Sequence, residues 1–155
     1  MSVNVGDKAP EFSLADDSGE VVTLKQFRGK TVVLYFYPKA DTSGCTTESC
    51  EFRDAFPRFT GREAVILGAS PDSVDEQAKF KKKYAFPFAL LADVGHGLAE
   101  LYGVWKEKSM YGRKYMGVER TTFVIDPQGR VSHVFAKVKP AGHAAEVVVA
   151  LGGQG

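Results

Sequence analysis

Long apolar runs and an excess of one charge are lacking from this sequence. No run approaches the roughly 18 apolar residues that a membrane span needs, and residues 1–14 carry no secretory or transit pattern. The 20 basic and 19 acidic residues leave a net charge of +1, so no global field attracts nucleic acid or an anionic membrane. We therefore expect a cytoplasmic protein, and small neutral or polar molecules remain possible ligands.

Cysteine and histidine are also scarce, with two and three residues in 155. In a reducing compartment, two lone cysteines are rarely a structural crosslink and are more often catalytic, redox-active or simply buried. His96, His133 and His143 have no ligand-type spacing to one another or to the cysteines. The sequence therefore predicts no metal site. We expect His143 to be an exposed residue at a helix start, and the other two to lie at the surface or in turns.

Apolar runs separated by turn residues predict strands that alternate with helices. The predicted strands are residues 12–14, 21–24, 31–37, 64–69, 88–91, 121–125 and 131–135, and the predicted helices start near 45 and span 73–84, 97–102 and 143–151. Pro57 should kink or end the first helix, and residues 103–120, with Trp105, Tyr111 and Tyr115, are predicted as a polar loop. The order indicates one α/β domain over 1–155, with an N-terminal β-hairpin and a mixed sheet flanked by helices in a thioredoxin-like layout. No apolar stripe remains obviously exposed, which favours a monomer.

Both cysteines lie in one strand, turn and helix segment, residues 31–54. Cys45 follows a turn-forming, hydroxyl-rich stretch and falls in the first turn of the predicted helix. Unpaired backbone N–H groups and the positive end of the helix dipole meet there, so a thiol should ionise more easily. The alternative is that both cysteines are buried helix residues of small apolar character.

Cys50 stands five residues after Cys45, which is the wrong spacing for a Cys-x-x-Cys dithiol exchanger. Helix geometry places the two Cα atoms roughly 8 to 9 Å apart. A disulfide needs a separation below about 7 Å. If the two cysteines form a disulfide, the first turns of the helix must unwind.

Pro38, Thr42 and Cys45, in the order Pro-x-x-x-Thr-x-x-Cys, resemble the active-site signature of peroxiredoxins. The wider string YPKADTSGCTTESCEFRD resembles the bacterioferritin comigratory protein group, also called peroxiredoxin Q. The resemblance continues in NVGDKAPEFSL, in LYGVWKEKSMYGRKYMGVERTTFVIDPQG and in the closing helix, so it covers nearly the whole chain.

The resemblance implies a thiol peroxidase acting on hydrogen peroxide or small organic hydroperoxides without metal, haem or flavin, and recycled by a thioredoxin-type reductant. Cys45 would be the peroxidatic cysteine and Cys50 the resolving cysteine. Thr42 would hydrogen-bond the thiolate and the peroxide, Pro38 would shield the pocket, and Arg120 would stabilise the thiolate and the transition state.

Each of these residues also has a plainer interpretation. Thr42 could be a helix N-cap, Pro38 a strand end, and Arg120 an exposed charge. Glu48 could orient Arg53 or Arg120, or could be a favourable acid in the first helical turn, and is left unassigned. Two other functions remain open, a redox sensor that exposes a binding surface on oxidation and a thiol-disulfide exchanger acting on proteins.

Overall fold

The fold is organised around a strand that is buried on both faces. In the computed structural model, which describes residues 2–152, the strands are β1 Ser13–Ala15, β2 Val21–Thr23, β3 Thr31–Phe36, β4 Ala64–Ser70, β5 Ala89–Ala92, β6 Trp105–Met110, β7 Arg113–Val118, β8 Thr121–Ile125 and β9 Val131–Phe135. The helices are α1 Ser43–Asp54, α2 Phe56–Thr60, α3 Val74–Tyr84, α4 Gly97–Leu101 and α5 His143–Ala150, with a short 3-10 helix at Leu24–Phe27. Within the described residues, no helix is long and apolar enough to cross a bilayer.

Five strands form the central sheet in the order β5-β4-β3-β8-β9. β3 runs parallel to β4 and antiparallel to β8, and it lies in the middle of the sheet. Its continuous apolar sequence fits this place, because a central strand contacts packed layers on both faces. The predicted mixed sheet is confirmed, and so is the N-terminal hairpin of β1 and β2.

Alternate residues of β3 face two separate apolar cores. Val32, Leu34 and Phe36 pack with residues of β2, α4 and β8, whereas Val33 and Tyr35 pack with residues of α1, α2, α3 and α5. The sheet is therefore covered by helices on both faces. This packing fixes the end of β3, and the loop that leaves it, against two solid layers.

The prediction of a loop over residues 103–120 is wrong. β6 and β7 form an antiparallel hairpin closed by Tyr111 and Gly112, which both have positive φ angles of 54° and 77°. Two such residues give the turn whose twist matches a β-hairpin. The pattern escaped detection because charged residues occupy both faces of this ribbon, and no apolar alternation marks it.

The predicted exposure of His143 is also wrong, since its side chain is buried. Nε2 lies 2.7 Å from the Thr122 hydroxyl, and Nδ1 lies 2.6 Å from Glu146. Phe52 and Phe135 contact the ring with their edges or faces. A helix start is exposed only when no other element covers it, and here α1 and the central sheet do.

Candidate active site

The segment between β3 and α1 is held by side chains from outside it. The Ala40 N–H donates a hydrogen bond of 2.7 Å to Asp72, a buried carboxylate that also accepts one from the Ser70 hydroxyl. Asp41 has a left-handed φ of 59°, and its carboxylate accepts hydrogen bonds of 2.9 Å from Lys83 and Tyr84 on α3. The loop that leads into α1 is therefore anchored to α3 and to the connection between β4 and α3.

Cys45 lies in the first turn of α1 and is 1% exposed. Arg120, from the short connection between β7 and β8, donates a hydrogen bond from Nη2 to the Cys45 sulfur at 3.2 Å. Gly44 makes room for this approach, because a Cβ there would lie 3.2 Å from Nη2 and 3.2 Å from Pro140. The structure thus brings Cys45 and Arg120 together across 75 positions of sequence.

Arg120 is shared between the cysteine and a buried acid. Its Nη1 donates a 2.7 Å hydrogen bond to Glu48, which is fully buried one turn after Cys45. Burial opposes the charge of Arg120, but the neighbouring Glu48 and Cys45 hold its pKa above the usual value. The guanidinium is fixed in place by the Glu48 contact, with its second nitrogen against the sulfur.

Glu48 itself is in an unusual state for a carboxylate. Burial raises its pKa to about 7, and the Arg120 charge and hydrogen bond only partly offset this. Its second oxygen, Oε2, has no hydrogen-bond partner among the described residues. A carboxyl group that loses its proton near neutral pH is uncommon outside functional sites.

The role of Glu48 was left unassigned from the sequence, although a signal was present. Glu48 lies three residues after Cys45, so it shares the helix face that Ser49 and Phe52 bury. An acid on an otherwise buried face needs a charged partner. From the sequence, Arg53 and Arg120 were both possible partners, and the structure shows that Arg120 is the one.

Thr42 and Pro38 lie at the two ends of the loop between β3 and α1. Thr42 occupies the N-cap position of α1 in extended conformation, but its hydroxyl donates to the Lys39 carbonyl at 2.8 Å and makes no capping bond. Pro38 is half-buried directly after Tyr37, whose N–H donates to Ala69. Thr42 directly precedes α1, where Cys45 lies, whereas Pro38 stands near the end of β3.

Cys50 is placed apart from this cluster. It is half-buried on α1, and both cysteines are free thiols. Burial raises the pKa of Cys50, so its thiol form is favoured.

α1 ends at Asp54, and Pro57 stands at the start of α2, so the predicted break at this proline is confirmed.

Comparison with known proteins identifies the chemistry of this site. The model of the AhpC/TSA family matches residues 5–134. Peroxiredoxin Bcp of Bacillus subtilis is 50% identical over 151 residues, which cover 97% of this chain and 96% of that protein. The chain is a peroxiredoxin of the Bcp group. Peroxiredoxins are thiol-dependent peroxidases, and this peroxiredoxin needs a peroxide and a reductant.

Solved structures of related peroxiredoxins have the same fold. The PrxQ of Xylella fastidiosa, as a cysteine-to-serine mutant, superposes with a TM-score of 0.93 at 36% identity over 98% of this chain and 97% of that one. The bacterioferritin comigratory protein of Xanthomonas campestris superposes with a TM-score of 0.89 at 39% identity. Its structures, which include a trapped intermediate, concern alkyl peroxide reduction. The match covers 97% of this peroxiredoxin and 96% of that protein. The predicted thioredoxin-like α/β fold is confirmed.

Proposed function

We propose that this peroxiredoxin reduces hydrogen peroxide and small organic hydroperoxides through Cys45. The thiolate attacks one peroxide oxygen, the O–O bond breaks, and Cys45 becomes a sulfenic acid. The other oxygen takes a proton and leaves as water or an alcohol. The observation that carries the proposal is the 3.2 Å contact of Arg120 Nη2 with the Cys45 sulfur.

Arg120 is suited to both stages of this attack. A fixed guanidinium favours the ionised, nucleophilic form of a nearby thiol. As the O–O bond breaks, negative charge develops on the leaving oxygen, and donors already in place stabilise that charge without reorganising. The Glu48 contact at 2.7 Å keeps the guanidinium in this orientation.

Thr42 and Pro38 complete the proposed site. The Thr42 hydroxyl, which donates to the Lys39 carbonyl in this structure, would turn to hydrogen-bond the thiolate and the peroxide. Pro38, at the exit of β3, would shield the pocket from water. The acceptance of organic hydroperoxides is supported by the Xanthomonas campestris relative, whose structures concern alkyl peroxide reduction.

Cys50 is proposed to resolve the sulfenic acid. Its thiol attacks the Cys45 sulfur, water leaves, and an intramolecular disulfide forms. An intact helix holds the two Cα atoms roughly 8 to 9 Å apart, so the N-terminal turns of α1 must unwind first. The part of α1 that has to rearrange therefore lies between its start at Ser43 and Cys50.

The disulfide is proposed to be reduced by a thioredoxin-type dithiol protein. The chain has two cysteines in all, so a second internal dithiol is not available to supply electrons. Such reductants are kept reduced in the cytoplasm, which is the proposed location. We further propose that the peroxiredoxin works as a monomer.

The test is to mix the reduced protein with one equivalent of hydrogen peroxide and to follow free thiols and intact mass with time. Both thiols should be lost rapidly, with a mass decrease of about two hydrogens and no dimer. The Cys45→Ser variant should consume no peroxide. Thiols that persist for hours in the parent protein would contradict the proposal.

Cys50→Ser separates attack from resolution. It should react once with peroxide and then stall, leaving Cys45 open to further oxidation to sulfinic acid. If this variant were recycled by thioredoxin as fast as the parent, Cys50 would not be the resolving residue. Slow recycling of the parent together with an oxidation-dependent binding partner would favour a redox sensor instead.

A further inference from the structure

Arg120 carries one positive charge, which cannot neutralise both Cys45 and Glu48 when both are ionised. A Cys45 thiolate and an ionised Glu48 place two negative charges on one guanidinium, 3.2 Å and 2.7 Å from its nitrogens. Glu48 is fully buried and loses its proton near neutral pH. Without another cation, ionisation of either acid would therefore oppose ionisation of the other.

A lysine of the β6–β7 hairpin approaches this cluster. Lys108 pairs with Tyr115 across the hairpin, yet its side chain lies over Gly117, two residues nearer the base. A Cβ at Gly117 would lie 3.3 Å from Lys108 Cδ and 3.6 Å from Cε. Because Gly117 has no side chain, the Lys108 side chain can extend along β7 towards Glu119 and Arg120.

The burial of Lys108 supports this orientation. Its side chain is half-buried, whereas the side chains of Lys106 and Lys114 on the same ribbon are 50% and 75% exposed. Burial and the charge of Arg120 lower the pKa of Lys108, while Cys45 and Glu119 oppose that change. The ammonium group is thus within electrostatic reach of both the guanidinium and the sulfur.

The other titratable groups that face the sulfur do not supply this charge. Tyr35 and Tyr37 of β3 lie within electrostatic reach of Cys45, and burial raises the pKa of both hydroxyls. They therefore stay neutral in the range where Glu48 titrates. Glu119 pairs with Lys106 at 3.1 Å, which leaves Lys108 as a cation for the cysteine cluster.

We propose that Lys108 supplies the second positive charge of the Cys45 site and stabilises the thiolate while Glu48 is ionised. The inference rests on the proposed function, because it assigns a residue to the same thiolate. Lys108 acts through its electric field and does not need to touch the peroxide. The hairpin β6–β7 therefore contributes to the active site, and Gly117 contributes by leaving the path open.

The experiment compares three variants in a Cys50→Ser background, where Cys45 is the one remaining thiol. Lys108→Met removes the charge and keeps an apolar stem, Lys108→Arg restores the charge, and Lys114→Met is the control from the same hairpin. The thiolate fraction is followed by its ultraviolet absorbance as pH rises. We expect Lys108→Met to have about a threefold lower ratio of thiolate to thiol than the parent background above pH 7, where Glu48 is ionised, and the other two variants to match the parent background.

Two results would overturn the inference: a titration of Lys108→Met that superimposes on that of Lys114→Met, or a loss that Lys108→Arg does not restore. The rate of reaction with hydrogen peroxide is measured on the same samples. It should fall in parallel with the thiolate fraction and converge with the control at high pH. A Cys50→Ser background that does not react with peroxide would refute the proposed function, while the absorbance titration would still decide the role of Lys108.

Discussion

The buried pair of Glu48 and Arg120 predicts an unusual pH dependence of stability. Glu48 has a pKa of about 7 in the folded protein, raised by burial from its usual value of 4.5. The native state therefore keeps a proton that the unfolded chain releases. The stability that this proton contributes is fully present below about pH 4.5 and is lost as the pH rises through about 7.

The size of the effect follows from the two pKa values. The pKa of Glu48 is 4.5 in the unfolded chain and about 7 in the folded protein. Raising the pH from 5 to 8 therefore lowers the free energy of unfolding by about 2.5 kcal/mol. Glu48→Gln removes this titration, because its amide oxygen can still accept the hydrogen bond from Arg120 but the group carries no charge. Glu48→Gln should therefore become more stable relative to its parent, by about the same amount, as the pH rises from 5 to 8.

The assay is urea unfolding at both pH values in a Cys45→Ser background, so that the thiolate does not add a second titration. Glu107→Gln is the control, because it removes an exposed carboxylate of β6. We expect the control to follow the parent at both pH values. If Glu48→Gln and its parent changed equally between pH 5 and pH 8, Glu48 would have the same proton affinity in both states, and the argument from burial would be wrong.

Two further predictions concern packing and the buried histidine. Gly68→Ala should lower the free energy of unfolding by about 1 to 3 kcal/mol in urea, because a Cβ would lie 2.9 Å from Leu90 and from the Tyr35 ring. Gly97→Ala, with no neighbouring atom within 4 Å, should change it little, and equal losses would contradict the steric explanation. Burial lowers the pKa of His143 from 6.5, so the unfolded chain takes up a proton that the native histidine resists, and the contribution of His143 to stability should fall as the pH drops below about 6.5. Because Glu48 acts in the opposite direction over this range, the measured quantity is the difference between variant and parent. In urea unfolding, His143→Asn should gain stability relative to its parent between pH 7 and pH 5, and a constant difference would contradict the argument.

Local signals in the sequence determined much of the fold. The apolar run of β3 has no polar face, so only a central position could bury it. Ser73 and Glu76 form a capping box at the start of α3, where a helix was predicted, since both bonds depend on residues three positions apart. Pro57 broke the helix as expected, because its ring removes a backbone donor wherever it stands. The same sequence placed Cys45 in the first turn of α1 and identified the family through the residues around it.

Only the tertiary structure decided how Arg120, which the family resemblance had assigned to the thiolate, is held against that cysteine. Arg120 is 72 positions from Glu48, and no periodicity relates residues on a helix to residues on a connection between distant strands. Lys108 lies on the β6–β7 hairpin, whose strands were not predicted because both of its faces are polar. His143 is buried by elements that come before it in the chain. Sequence patterns report which local structure a segment adopts, whereas burial and charge pairing depend on what the fold packs against it.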